Sequence, residues 1–270
     1  MRRTFVLVGH SLSRARSALI LLTILLGGFQ FLLTQVASYL IQRNGFSQLS
    51  DFMPDFIRTA VGPEALALMS FGGVVSLGYF HPIVMTALVG VTIALATEAT
   101  GEIEMRFVDL TLARPLPRQA LVIRTLVVLA VTGALLLTAM MAGTWIGLSC
   151  CVPGDAEPPS FGVFMRLALS LATMMACWAG ITLAISAASR RRSVAASIAG
   201  VLALTAYLLD YLGRAWQPAA GVSRISPFHY FEPMAVVTTQ SLSAINGMIL
   251  LAVGIVGAVV SYVAIGRRDI

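Results

Sequence analysis

Lysine is missing altogether: all eighteen basic residues are arginine. That absence excludes a phosphate-binding loop of the GxxxxGK[ST] kind, whose lysine reaches the nucleotide phosphates, and it excludes Schiff-base chemistry. Charge of either sign is scarce, at 11% of 270 residues against about 25% in a soluble domain. Of three cysteines, Cys150 and Cys151 are adjacent and Cys177 stands alone in an apolar run, so no disulfide framework is expected and all three read as small hydrophobes. Histidine also numbers three, His10, His81 and His229, with no HExxH motif. No metal site is expected, because His229 and Glu232 form a pair without a third ligand. A cleaved signal peptide is not expected either: Arg14 and Arg16 interrupt the apolar run after Met1-Arg2-Arg3 before any small-residue cleavage site.

What is present is apolar: 58% of the chain. The 26 uncharged residues between Arg16 and Arg43 cover about 39 Å as a helix, more than a hydrocarbon core of about 30 Å. Runs of this kind predict an all-α polytopic membrane protein, one domain over 1–270, with six spans at about 17–41, 81–98, 119–148, 164–188, 194–212 and 244–265. The 33 uncharged residues from Ala65 to Thr97 are too many for one untilted span, and Gly72, Gly73, Gly78 and His81-Pro82 predict a kinked entry to about Phe80 before the second span. Phe5, Val8 and Leu12 share a helical face opposite Arg3, His10 and Arg14, which predicts a separate interfacial helix over 3–14 lying on the bilayer. Between the first two spans, Asp51, Phe52, Asp55, Phe56 and Arg58 suit short amphipathic turns at the surface.

With the N-terminus inside, thirteen arginines fall on cytoplasmic segments: Arg2, Arg3, Arg14 and Arg16, then Arg106, Arg114, Arg118 and Arg124, then Arg190, Arg191 and Arg192, then Arg267 and Arg268. The outer segments hold Arg43, Arg58, Arg166, Arg214 and Arg224 with seven of the twelve acids, so the positive-inside rule places both termini in the cytoplasm of a cell membrane.

The spans are expected to contain one titratable candidate, His81, beside Pro82. Without a companion carboxylate it reads as a hydrogen-bonding residue rather than a proton site, which disfavours an ion-coupled carrier. Ser149 follows Gly147-Leu148 in a Gly-x-Ser pattern, with His229 as a conceivable base. Its place at the outer end of a span disfavours an intramembrane hydrolase, and no catalytic residue is expected.

The densest charge lies in TEATGEIEMRFVDLTLARPLPR, Thr97 to Arg118. Glu102, Arg106 and Asp109 fall at i, i+4 and i+7 and are expected to pair, while Ile103, Phe107 and Leu110 share another face. The spacing predicts an amphipathic helix over 101–113, about 18 Å long, stopped by Pro115 and Pro117. Resting on lipid headgroups is the simpler use of such a helix. The acids Glu98, Glu102, Glu104 and Asp109 favour a protein groove instead.

Glu98, Gly101-Glu102, Leu110, Leu112 and Ala113-Arg114-Pro115-Leu116-Pro117-Arg118 resemble the segment between the second and third spans in permease subunits of type-2 ATP-binding cassette transporters. There a common form runs Gly-Glu-x-Glu-x-Gly-Thr and then Ala-Arg-Pro-Leu-Ser-Arg. Ile225-Ser226-Pro227-Phe228-His229-Tyr230-Phe231-Glu232-Pro233 is similar to that family's Ser-Pro-Phe-x-Tyr-x-x-Pro-like element, and the resemblance extends over essentially the whole chain. Met105-Arg106-Phe107, where many members have Arg-Gly-Thr, and Pro117 in place of serine depart from the pattern. The resemblance implies an exporter permease whose coupling helix docks on a separate cytoplasmic ATPase through Glu98, Gly101, Glu102, Glu104, Arg106, Asp109, Arg114, Pro115 and Arg118. It implies two ATPases and two permeases, as a homodimer or with a close paralogue. The second and fifth spans then line the path. ATP and Mg²⁺ belong to the partner, with no cofactor on this chain and no nucleic acid partner.

Pro227, Phe228, His229, Tyr230, Glu232 and Pro233, in an outer loop that also holds Trp216, read either as an outer gate or as an interfacial anchor. Apolar, Met-containing spans fit a hydrophobic drug, peptide or lipid as substrate better than a bare cation. Metal-ion or sulfur delivery, or sodium extrusion, is the alternative that some relatives suggest.

Overall fold

The structure, a computed structural model, describes residues 2–43, 70–105, 119–151, 159–216, 218 and 220–267. Every regular element among them is helical: α1 (Arg2–Gln42), α2 (Phe71–Leu77), α3 (Pro82–Ala96), α4 (Glu98–Glu104), α5 (Ala120–Cys151), α6 (Phe161–Ala188), α7 (Arg192–Ala215), α8 (Ala220–Ser223), a 3-10 turn (Pro227–Tyr230), α9 (Pro233–Thr239) and α10 (Ala244–Arg267). Six helical stretches are long and apolar enough to cross a membrane, so the chain is a polytopic membrane protein. Its outward surface agrees: Ile20, Leu21, Ile24 and Leu32 of α1 and Val201, Leu204 and Leu208 of α7 are exposed, as lipid-facing side chains are. The end of the bundle at which α1 begins is called basal here, the other distal.

The first expectation to be corrected is the separate interfacial helix over 3–14. A single 41-residue helix, about 62 Å long, runs through it without interruption, because neither proline nor a glycine pair stands between Arg3 and Ser17 to break the ladder. Val8 is buried, and with Leu12 and Ala15 it belongs to one apolar cluster that also holds Leu95, Ala96, Val128, Leu129 and Leu183 of α3, α5 and α6. The Val8 and Leu12 part of the face predicted for lipid headgroups is therefore a protein-packing face at the basal end.

The kinked second span is as expected. Ser70 caps α2, accepting from the Gly73 amide at 3.0 Å. After the break His81 caps α3 through Nδ1, accepting from the Ile83 amide, with Pro82 at the first helical position where no amide is needed. His81 also lies edge-on to Phe29 of α1, a structural role. A second bend falls at Thr97. Its hydroxyl donates to the carbonyls of Ile93 and Ala94, competing with the helical ladder, and α4 starts afresh at Glu98.

Two close helix pairs hold the bundle. A methyl on Gly143 of α5 would sit 2.1 Å from the Gly27 carbonyl oxygen of α1, and one on Gly180 of α6 would sit 2.0 Å from the Gly254 carbonyl oxygen of α10. Such backbone contact is available only to glycine and is how helices associate where lipid removes the hydrophobic drive. Both pairs run parallel: Gly27 meets Ala139 while Thr34 meets Gly147, and Ala176 meets Gly254 while Gly180 meets Gly257. Beside the first pair, Gln30 Nε2 donates to Thr144 Oγ1 at 3.2 Å, and the Tyr79 hydroxyl lies 3.1 Å from the same atom, closing a buried polar cluster against the second-span break.

Candidate functional site

At the basal end the short helix α4 is tied to three long ones. Glu102 bonds Arg124 of α5, with Nη1 at 2.8 and 3.0 Å from the two carboxylate oxygens. The side chains are 5% and 17% exposed, so this is a desolvated pair rather than a surface one. Thr100 Oγ1 donates to the Ser186 carbonyl of α6 at 3.0 Å and touches the Ser186 hydroxyl as well. Glu104 receives the Arg192 backbone amide at 2.9 Å, placing a carboxylate at the first residue of α7, where unpaired amides favour an anion. The Arg192 side chain runs with its aliphatic stem over Gly101, whose absent Cβ would lie 2.8 Å from Arg192 Cδ. It ends 3.1 Å from the Ala94 carbonyl, an acceptor at the Thr97 bend.

Glu102 pairs with Arg124, a partner 22 residues away in sequence, while the expected pairings through Arg106 lie outside the described residues. Glu102 turns into the bundle, and so does Gly101, which is buried beneath Arg192. Glu98 is half-buried in the first turn of α4, and Glu104 is exposed. Of the helix expected over 101–113, residues 101–104 belong to α4, which runs from Glu98 to Glu104. Arg106, Asp109, Arg114, Pro115 and Arg118, with the rest of 106–118, lie outside the described residues.

At the distal end the Pro227 loop folds into a cap between α6, α7 and α10. Ser226 fixes it: its hydroxyl donates to the Ala206 carbonyl of α7 at 2.7 Å and accepts from the Phe228 amide. Pro227 opens the 3-10 turn, and Phe228 is buried against Trp178 of α6 and Tyr207 of α7, ring centroids 5.7 and 5.6 Å apart. The Tyr230 hydroxyl donates to the Arg224 carbonyl. Glu232 accepts from Asn246 Nδ2 of α10 at 3.0 Å, and Pro233 begins α9. The residues proposed as gate or anchor are brought together; Ser149 is engaged elsewhere, donating to the Ile146 carbonyl.

No protein-family model matches this chain, and neither a curated protein nor a solved structure matches it.

Two charged side chains escaped the sequence reading. Asp210, expected among the outer acids, is buried within α7, so His81 is not the sole titratable residue of the spans. Arg214 one turn on bonds it at 2.9 Å, Arg214 Nη2 reaches toward the Phe231 carbonyl at 3.5 Å, and His229 Nδ1 stands 3.8 Å from the other carboxylate oxygen. His229 Nδ1 is also 3.4 Å from Ser223 Oγ, so both neighbours address one ring nitrogen, unlike a hydrolase relay in which they use different ones. The other side chain is Arg124, read as a cytoplasmic flank and found buried. The signal available for both was a charge inside an apolar run with no partner in the same run except, for Asp210, Arg214 at i+4. Among the described residues no group of three or more His, Cys, Asp or Glu could hold a metal ion.

Proposed function

We propose that the chain is the membrane-spanning permease subunit of a type-2 ATP-binding cassette exporter. It forms the path for a hydrophobic drug, peptide or lipid and takes its energy from a separate cytoplasmic ATPase. Two permeases and two ATPases make the transporter, with the basal end of each permease in the cytoplasm. The observation that carries this reading is the seating of α4, the start of the predicted coupling helix, by the buried Glu102–Arg124 pair against α5 and by Glu104 against α7. A connector with no mechanical duty needs no such anchorage. A segment through which an ATPase moves the spans does, since force applied beyond Met105 must reach the long helices without dissipating in a loop. Closure of the ATPases on ATP displaces the docked segment, and α4 passes that displacement to the basal ends of α5, α6 and α7 as a rigid-body shift. The arginine-rich basal segments and the resemblance across 98–118 support the same orientation and partner.

Asp210 favours a second reading, an ion-coupled carrier, because a carboxylate within a span is costly unless it works. Arg214 already balances it, which leaves the first reading ahead. Co-expression with a candidate ATPase separates the two. Arg114→Ala is expected to reduce co-purification about fivefold or more while the chain still inserts. Undiminished co-purification and transport in that variant, or ion-driven uptake by the chain alone that Asp210→Asn abolishes, replaces the first reading with the second.

A further inference from the structure

The six long helices are not packed alike. The α1/α5 and α6/α10 pairs are locked by backbone-to-backbone contacts in which no further approach is possible. In α7 the inward residues are Ala195, Ala199, Ala203, Ala206 and then Asp210, a smooth stripe of methyl groups down one face that offers no ridge to interlock with a neighbour's groove. Beside this apolar stripe, α7 is tied by polar contacts at its two ends. At the basal end the Arg192 amide is bound by Glu104 and the Arg192 side chain by the Ala94 carbonyl. At the distal end Arg214, held by Asp210 one turn before it on the same helix, reaches toward the Phe231 carbonyl, His229 Nδ1 stands 3.8 Å from Asp210, and the Ala206 carbonyl takes the Ser226 hydroxyl.

We infer that α7 is a rod, about 36 Å long, that carries displacement of α4 to the distal cap, with Arg192 and Asp210 as the positioning residues that couple it at either end. A helix hydrogen-bonded throughout transmits an axial shift along its length, and a contact surface of alanines permits shear that interlocked pairs forbid. Movement of α4 pulls on Arg192 and so displaces the Phe228 turn, which rests on Tyr207 and hangs from Ala206. The transport role of the rod rests on the permease reading; the mechanical link itself does not.

Amide hydrogen exchange on the full chain in lipid nanodiscs tests the link without an ATPase. Arg192→Ala, or the milder Glu104→Gln, is expected to speed exchange of the Phe228, His229 and Phe231 amides, at the opposite end of the molecule, by about fivefold or more, as a loosened cooperative unit does. Arg190→Ala, an exposed neighbour of the same hinge, leaves them unchanged. Effects confined to residues 98–105 and 189–196 overturn the rod. In the complex with the ATPase, Arg192→Ala and Asp210→Asn are expected to lower the amount transported per ATP hydrolysed by about tenfold, a typical strength of coupling between sites. An unchanged ratio in both variants overturns the rod's role in transport. Failure of the wild-type chain to engage any ATPase overturns the permease reading and leaves the exchange result to stand or fall alone.

Discussion

Arg124 holds both oxygens of Glu102, at 2.8 and 3.0 Å, from the second turn of a helix otherwise uncharged from Ala120 to Cys151. Arg124 Nε finds no acceptor among the described residues. Among the described residues Glu102 is the one carboxylate that pairs with the guanidinium, and its loss leaves a desolvated cation. Glu102→Ala is expected to destabilise the protein by about 3–5 kcal/mol, the cost of breaking a buried pair from one side. Glu102→Ala with Arg124→Leu should recover much of the loss. Thermal unfolding in detergent of both single variants and the double completes the cycle; additive losses would show that the pair is not coupled.

The two glycine contacts predict a contrast between positions. Gly180→Ala places a methyl 2.0 Å from a backbone oxygen, so α6 and α10 must separate, at about 1–3 kcal/mol. Gly200→Ala on α7 meets open space and should be neutral or stabilising by up to about 1 kcal/mol through helix propensity. Melting temperatures of the two variants in one detergent give the sign of each.

Because Val8 of α1 lies in the basal apolar cluster, Val8→Asp should lower the melting temperature sharply, an unpaired charge entering the cluster that holds Leu95 and Val128. Arg14→Gln, at an exposed position, should change it little. If both variants melt as the wild type does, the face through Val8 is not a packing face.

At the distal end Asp210→Ala frees Arg214, whose side chain is already 52% exposed and turns to solvent at small cost. The effect is therefore expected in the loop more than in global stability. Limited trypsin digestion should cut after Arg214 or Arg224 faster in the variant, with little change in melting temperature. Equal cleavage rates would show that the carboxylate does not restrain the cap.

The spans were legible because a bilayer imposes a length, and an uncharged run such as that between Arg16 and Arg43 can satisfy it only as a helix. The break at His81-Pro82 was legible because proline announces a helix start. Sequence spacing misled at Val8 because a face bound for protein and a face bound for headgroups share one periodicity, and only the partner distinguishes them. Arg124 could not be named as a partner of Glu102 from spacing, because it becomes a neighbour only once α4 folds back on α5. Asp210 was open to detection: it stands in an apolar run with Arg214 at i+4, and the count of outer acids absorbed it. The partners of Gly143 and Gly180 were not open to it, since a glycine marks close approach without naming what approaches.

The parallel pairing of α1 with α5 and of α6 with α10 also sets an order of assembly. Gly27 leaves the ribosome more than a hundred residues before Gly143 exists to meet it, and Gly180 more than seventy before Gly254. Each opening helix of a pair must first stand without that partner, with its polar notch at Gln30 or its bare glycine surface uncovered on that side. A chain arrested before α10 would thus have all but one of its membrane crossings and still lack the contact that closes its second half.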